Sequence, residues 1–334
     1  MTTRLSLVLE YFHPWPNSAG FYAARAAGFY AEAGIELEIR TGDPGIGDSL
    51  EHVARGLADL AVFPTNRLLV RRELGQDLRA IAAVNQRGLE TVRTLERSGI
   101  RSLADLEGRR LALNPTPRGV AIVRDLVARA GGDPDLVELV DAGARELTAD
   151  DLDAGAADAT FGSYWAWDIL LSERPDRPER VWRVDDELGI AYHSYLLGGG
   201  PALDRIDPEV RAAFLAATER GFRLAAAEQD ATVDLLETVT PYFDRLVLAR
   251  SLALIAPTWF DRGGWGGIRE DAMGEYADWL AAAGILEDAS AWPQAVDAAW
   301  ALGGGRGGGR GGAESGAAVG AIALAGAGLA GSGR

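Results

Sequence analysis

The side chains of this chain best placed to do chemistry are aromatic rings and amides. Trp15 stands between two prolines in His13-Pro14-Trp15-Pro16-Asn17. Tyr164-Trp165-Ala166-Trp167-Asp168 gathers three rings and an acid within five residues. A tryptophan in such a loop is poorly placed for a core and well placed to stack on a flat ligand. The three histidines are His13, His52 and His193. His13 and His193 both follow predicted strands, and an acid–base or metal pair made from them needs a carboxylate alongside. His52 falls in a predicted helix and is expected at the surface.

Two absences narrow the chemistry. The chain has no Cys, which excludes disulfides, thiolate nucleophiles, iron–sulfur clusters and Cys-bound zinc. It has no Lys either, so all 33 positive side chains are Arg. That excludes a Schiff-base enzyme and a phosphate loop of the GxxxxGK[ST] kind. Against 49 acidic residues the formal charge is −16, which disfavours a nucleic-acid binder. At 334 residues and 48% hydrophobic, the chain can bury a large core. No stretch is long and apolar enough to span a membrane. The opening residues lack the pattern of a secretory signal, so a cytoplasmic location stays open. From Gly303 to Arg334, 14 of 32 residues are Gly, and this tail is expected to be disordered.

The elements that must position these groups alternate. Strand patterns at Leu5–Leu9, Ile35–Ile39 and Ala58–Phe63 enclose a helix at Gly20–Ala33 and another at Asp48–Leu57, capped by Asp48. Leu78–Val84 is a further strand. Strands at Arg110–Asn114, Leu136–Val140, Ala157–Phe161 and Arg180–Val184 then alternate with helices at Ser102–Gly108, Val120–Ala130 and Thr148–Ala154. Helical patterns fill Asp207 to about Trp300. The order predicts two α/β units with parallel sheets and right-handed crossovers. The chain can cross between them near 80–90 and 181–196.

Open parallel sheets bind ligands beyond the carboxyl ends of their strands. The candidates there are Tyr11, His13, Trp15 and Asn17, then Phe63 and Thr65, then Asn85. In the second unit they are Asn114 and Thr116, then Tyr164, Trp165 and Asp168; His193 lies on the return. Such a lining suits a small, flat, mostly neutral ligand held by stacking and a few hydrogen bonds. Tyr22 lies on the inward face of its helix, where core packing competes with ligand contact. Asn17 could equally cap the helix that follows, and Asp168 could complement a helix dipole. Arg118, after Asn114-Pro115-Thr116-Pro117, is the best-placed cation for an anionic ligand. Gly198-Gly199-Gly200 lacks nucleotide-loop spacing and reads as a flexible connection. The glycines around Trp265 read as a loop near the hinge or the cleft rim.

The runs WPNSAGFYAARAAGFYAEAGIELEI, VARGLADLAVFP, SLADLEGRRLAL and FGSYWAWDILL resemble the solute-binding proteins of ABC importers. Within them, they are similar to the branch with formylaminopyrimidine-binding proteins and the fungal thiamine-pyrimidine synthases. The resemblance covers about residues 4–260. It implies the type II periplasmic-binding-protein fold, two α/β lobes closing on a ligand across a two-strand hinge. It implies an aromatic clamp at Trp15, Tyr22 and Tyr164 or Trp165, a carboxylate at Asp168 that grips an aminopyrimidine, and polar contacts from Asn17, Asn114 and Thr116. The synthases' pyridoxal-phosphate Lys and the substrate His align on Phe63 and Arg67, and their Cys-rich run is missing. That activity is therefore excluded here.

The expectation is a binding protein without a cofactor or a catalytic residue. It captures a heteroaromatic nutrient, resembling a thiamine pyrimidine precursor, for an ABC permease and its ATPase. It works as a monomer outside the cytoplasm. Residues 1–84 with 192–300 form the first lobe, 85–191 the second, and 301–334 the tail. The alternative is a cytosolic enzyme on this fold, like those of the futalosine route to menaquinone, using His13, His193 and Asp168.

Overall fold

A computed structural model describes residues 2–143, 147–162 and 178–297. The expected tail at 301–334 lies outside them, as do Tyr164, Trp165 and Asp168. Two five-stranded sheets organise the chain. The first contains β1 (Thr3–Val8), β2 (Ile35–Arg40), β3 (Leu60–Pro64), β4 (Arg79–Ala83) and β10 (Tyr195–Gly199), in the order β2-β1-β3-β10-β4. The second contains β5 (Thr91–Leu95), β6 (Arg110–Leu113), β7 (Glu138–Asp141), β8 (Ala159–Gly162) and β9 (Glu179–Arg183), in the order β7-β6-β8-β5-β9.

Each sheet has a parallel heart. β1 pairs parallel with β2 and β3, and β6 with β7 and β8. The purely parallel sheets expected from sequence are corrected by one strand in each. β10 runs antiparallel between β3 and β4, and β5 runs antiparallel between β8 and β9. Each is the first strand after the chain has crossed from the other sheet.

Local chemistry sets the helices between these strands. Among them are α1 (Ala19–Ala26), α2 (Phe29–Glu32), α3 (Ser49–Ala54), α4 (Thr65–Glu73), α5 (Pro117–Arg129), α6 (Ala149–Asp153) and α7 (Val184–Leu188). Asp48 caps α3 by accepting from the Glu51 N–H, and Thr148 caps α6 by accepting from the Asp151 N–H. The single helix expected over 20–33 is broken: Gly28 takes a left-handed backbone, φ 77°, between α1 and α2. The segment expected as a helix near 102–108 is a short 3-10 turn, Leu103–Leu106, closed by a Ser102–Asp105 capping box.

The C-terminal part is helical, with α8 (Pro208–Ala227), α9 (Gln229–Val239), α10 (Arg245–Ile255) and α11 (Glu270–Ala282). A hairpin of β11 (Phe260–Asp261) and β12 (Gly264–Trp265) interrupts it. α8 packs along α1, and glycine is required at that contact. A Cβ on Gly221 would stand 2.2 Å from the Gly20 carbonyl oxygen. The glycines around Trp265 do sit beside the crossing: Gly266 O accepts from the Ala83 N–H, and Gly267 O from Gln86 Nε2.

Three other expectations are corrected. Gly198–Gly200 is no flexible link but a tightly packed strand end. A Cβ on Gly198 would lie 2.1 Å from Arg79 O, and one on Gly200 2.7 Å from Val53 O. His52 is buried, with Nδ1 donating to Asp48 O and Nε2 accepting from the Asp43 N–H. Arg118 faces no open cleft; it is paired with Glu90 at 2.8 Å.

Candidate functional site

β1 ends at Val8, and the backbone then carries Glu10, Tyr11 and the turn to Trp15 past the carboxyl end of the first sheet. Trp15 is fully buried, and its indole Nε1–H donates to Glu10 Oε1 at 2.7 Å. Asn17 Nδ2 donates to the same oxygen at 3.4 Å. The other carboxyl oxygen, Oε2, is shut off from solvent and has no hydrogen-bond partner. Burial pushes the Glu10 carboxyl up from its ordinary value, and its own backbone N–H, followed by the donors from Trp15 and Asn17, only partly opposes this.

Rings cluster about Trp15, which holds this carboxyl. Tyr11 meets Trp15 edge-on at 5.3 Å, Tyr195 meets Trp15 at 6.1 Å, and the Tyr11 and Tyr195 hydroxyls are bonded at 2.7 Å. Tyr22 is buried with the Arg25 guanidinium over its ring, and burial pushes its hydroxyl up to about 12. Two more rings stand at the surface: Phe12 and Tyr242 are 68% and 61% exposed, with His13 against both. The result is a carboxyl with one oxygen unpartnered, held by a tryptophan that two tyrosine rings meet edge-on.

The amides expected to touch ligand are part of this frame. Asn17 and Asn85 form a reciprocal pair, Asn17 Nδ2 donating to Asn85 Oδ1 at 3.1 Å and Asn85 Nδ2 to Asn17 Oδ1 at 2.8 Å. Asn17 Oδ1 also accepts from Trp259 Nε1, and Asn85 Nδ2 also donates to Thr258. Both are buried, so their hydrogen-bonding capacity goes to positioning Glu10 and Trp15.

Asn85 leads on to the return crossing. His193 is buried; its Nδ1–H donates to Asn85 O at 3.0 Å and its Nε2 accepts from the Arg269 N–H at 3.0 Å. Both ring nitrogens are used, which fixes the neutral tautomer. Burial lowers the imidazole to about 4. Thr65 Oγ1 donates to the His193 carbonyl at 2.6 Å, closing this chain of contacts. Phe63 lies in the core of the first sheet, directly beneath Gly198. His13 has separate company: Nδ1 donates to Pro14 O, and the ring packs on Phe243. The structure therefore does not assemble an acid–base pair from the two histidines.

From the second unit, Asn114 and Thr116 are exposed beyond β6. Thr116 caps α5, its Oγ1 accepting from the Gly119 N–H at 3.1 Å. The structure thus brings Trp15, Asn17, Asn85, Thr65 and His193 into one network. It leaves Phe63 in the core and Asn114 and Thr116 on the other sheet. The group missed from sequence is Glu10. A lone acid in Leu9-Glu10-Tyr11, at the carboxyl end of the first strand, was the available signal. Among the described residues no group of three His, Asp or Glu is arranged to hold a metal.

This geometry can be set beside known proteins. The NMT1/THI5-like family profile matches residues 15–232. The chain belongs to the NMT1/THI5-like family. It is 25% identical over 280 residues to the formylaminopyrimidine-binding protein of Halalkalibacterium halodurans, covering 82% of this chain and 84% of that one. Among solved structures, the periplasmic aliphatic sulphonate-binding protein SsuA of Escherichia coli superposes with a TM-score of 0.70 at 15% identity, over 94% of this chain and 98% of that one. The desulfurization enzyme DSZB superposes with a TM-score of 0.61 at 18% identity, over 90% of this chain and 96% of that one. The fold of this family member is accordingly the periplasmic-binding-protein fold.

Proposed function

We propose that this protein is the solute-binding component of an ABC importer, and that its solute is a small heteroaromatic compound bearing an amino group, of the aminopyrimidine class. The observation that carries this reading is Glu10. A buried carboxyl with one oxygen lacking a donor is costly unless a partner completes it. An aminopyrimidine presents N–H donors on a flat ring, which suits a carboxyl held by Trp15 next to the rings of Tyr11 and Tyr195 that pack on that tryptophan. A sulfonate brings only acceptors and a negative charge, and would be repelled. The name of the Halalkalibacterium relative points to the same class.

The solute bridges the two sheets and favours the closed form, which then docks on a membrane permease served by an ATPase. On this reading the protein works outside the cytoplasm as a monomer. No helix among the described residues is long and apolar enough to cross a membrane. Asn114 and Thr116 supply the second lobe's polar contacts. Tyr164, Trp165 and Asp168 belong to the same proposal.

Thermal unfolding with an aminopyrimidine, thiamine, riboflavin and an alkanesulfonate, followed by mass analysis of each compound, tests the proposal. A rise in melting temperature with the aminopyrimidine, recovered unchanged, is expected. Stabilisation by the sulfonate alone, or conversion of the compound, would overturn it.

A further inference from the structure

The hinge side of the molecule carries a second buried glutamate, Glu90, the last residue of the first crossing before β5. It is part of a node where four separate segments meet. Arg118, in the first turn of α5, reaches Glu90 Oε1 at 2.8 Å. Tyr192, on the return crossing, donates its hydroxyl to Glu90 Oε2 at 2.7 Å. Tyr276, on α11, accepts from Arg118 Nε through its hydroxyl. The Tyr192 and Tyr276 rings stack at 4.6 Å, with the Arg118 guanidinium within 6 Å of both centroids. Gly88 leaves the room this needs, since a Cβ there would lie 2.2 Å from the Tyr192 hydroxyl oxygen.

α11 is otherwise seated on the first unit. It packs against α4, and the chain after it returns to β4, where the Asp297 N–H donates to Ala80 O and Asp297 pairs with Arg79. From that seat it reaches the second unit at two points on α5: Tyr276 meets Arg118, and Trp279 Nε1–H donates to Asp125 Oδ2 at 2.8 Å. It also holds the return crossing, Glu275 accepting from the Ala191 N–H. A lobe joined only by two crossing segments would swing freely about them. Here a helix anchored on one unit grips a helix of the other.

We propose that α11 is an interlobe brace: Tyr276 and Trp279 fix the second unit against the first, and Arg118 is the positioning residue that ties the Asn114–Pro117 turn to both crossings. The brace sets the angle between the units before any solute arrives. Movement toward a closed form must strain or release these contacts.

The absence of cysteine makes a direct test available. Ala31→Cys and Glu138→Cys place one exposed label site on each unit, and electron–electron resonance reads the distance between spin labels on them. No solute is added, so the result is independent of the transport reading. The ligand-free protein is expected to give one narrow distance distribution. The double variant Tyr276→Phe, Trp279→Phe keeps aromatic rings and loses both bonds to α5; it is expected to broaden the distribution at least twofold. Arg118→Lys, which keeps the charge on Glu90 but cannot reproduce the fork to Tyr276, is expected to fall between. Arg118→Met is expected to broaden it most. If that variant does not fold, the double variant carries the test. A folded double variant with the parent's distribution would overturn the proposal.

Discussion

Glu10 and Glu90 are the same residue type, each set beside aromatic rings, one at the end of the first strand and the other at the hinge. At Glu90 the protein completes the carboxylate, with Arg118 on one oxygen and Tyr192 on the other. At Glu10 it completes only one oxygen, through Trp15 and Asn17, and leaves the other without a donor. A carboxylate the fold satisfies entirely is architecture. One it satisfies halfway, among rings and at the carboxyl end of a parallel sheet, is where a ligand is expected to supply the remainder.

The contrast breaks if the two sites respond alike to mutation. Arg118→Met leaves Glu90 buried beside no cation and is expected to cost about 3–5 kcal/mol of unfolding free energy in urea. Glu10→Gln removes a buried carboxyl already short of a donor, and should unfold at the same or a higher urea concentration than the parent.

Next in size is the acid response of the hinge. His193 sits at about 4 in the fold against an ordinary 6.5, so the unfolded chain binds the proton more readily between these values. Stability is full above the ordinary value and falls with acidification across that window, by up to about 3 kcal/mol. His193→Gln should flatten this slope in urea titrations run from neutral pH to the lower limit. Glu10 has the opposite sign. Its carboxyl is raised, so the stability present in acid is lost as pH rises through the ordinary range toward the raised value. A parent-minus-Glu10→Gln difference in unfolding free energy that grows with pH would contradict this; a falling difference is expected.

The smallest effect sharpens the role of the second unit. Thr116→Ala removes the cap on α5 and should cost about 1 kcal/mol, seen in thermal unfolding.

How much could be read from sequence follows from the range of the forces involved. Asp48, Thr148 and the stop at Gly34 obey rules acting within a few residues, and the structure forms those ends. The alternation of helix and strand was legible for the same reason. β5 is hard to see in the sequence because Thr91-Val92-Arg93-Thr94-Leu95 looks half polar; Arg93 is buried with Glu179, on the neighbouring strand, pairing with it at 2.7 Å and the Leu147 carbonyl accepting from it. Gly198–Gly200 looked flexible because the carbonyls crowding it belong to Arg79, Asp59 and Val53. At the site, the aromatic character around Trp15 was legible, while the mutual pairing of Asn17 and Asn85 depends on partners 68 positions apart. Glu10 is hard to pick out because a charge at a strand end ordinarily marks where burial stops.

The central claim is that the open oxygen of Glu10 receives the solute. Isothermal titration of the parent and of Glu10→Gln with the same aminopyrimidine tests it most directly. The account predicts saturable binding to the parent and at least a tenfold weaker affinity in the variant, with its ligand-free melting temperature preserved. Equal affinity in the two proteins would contradict it.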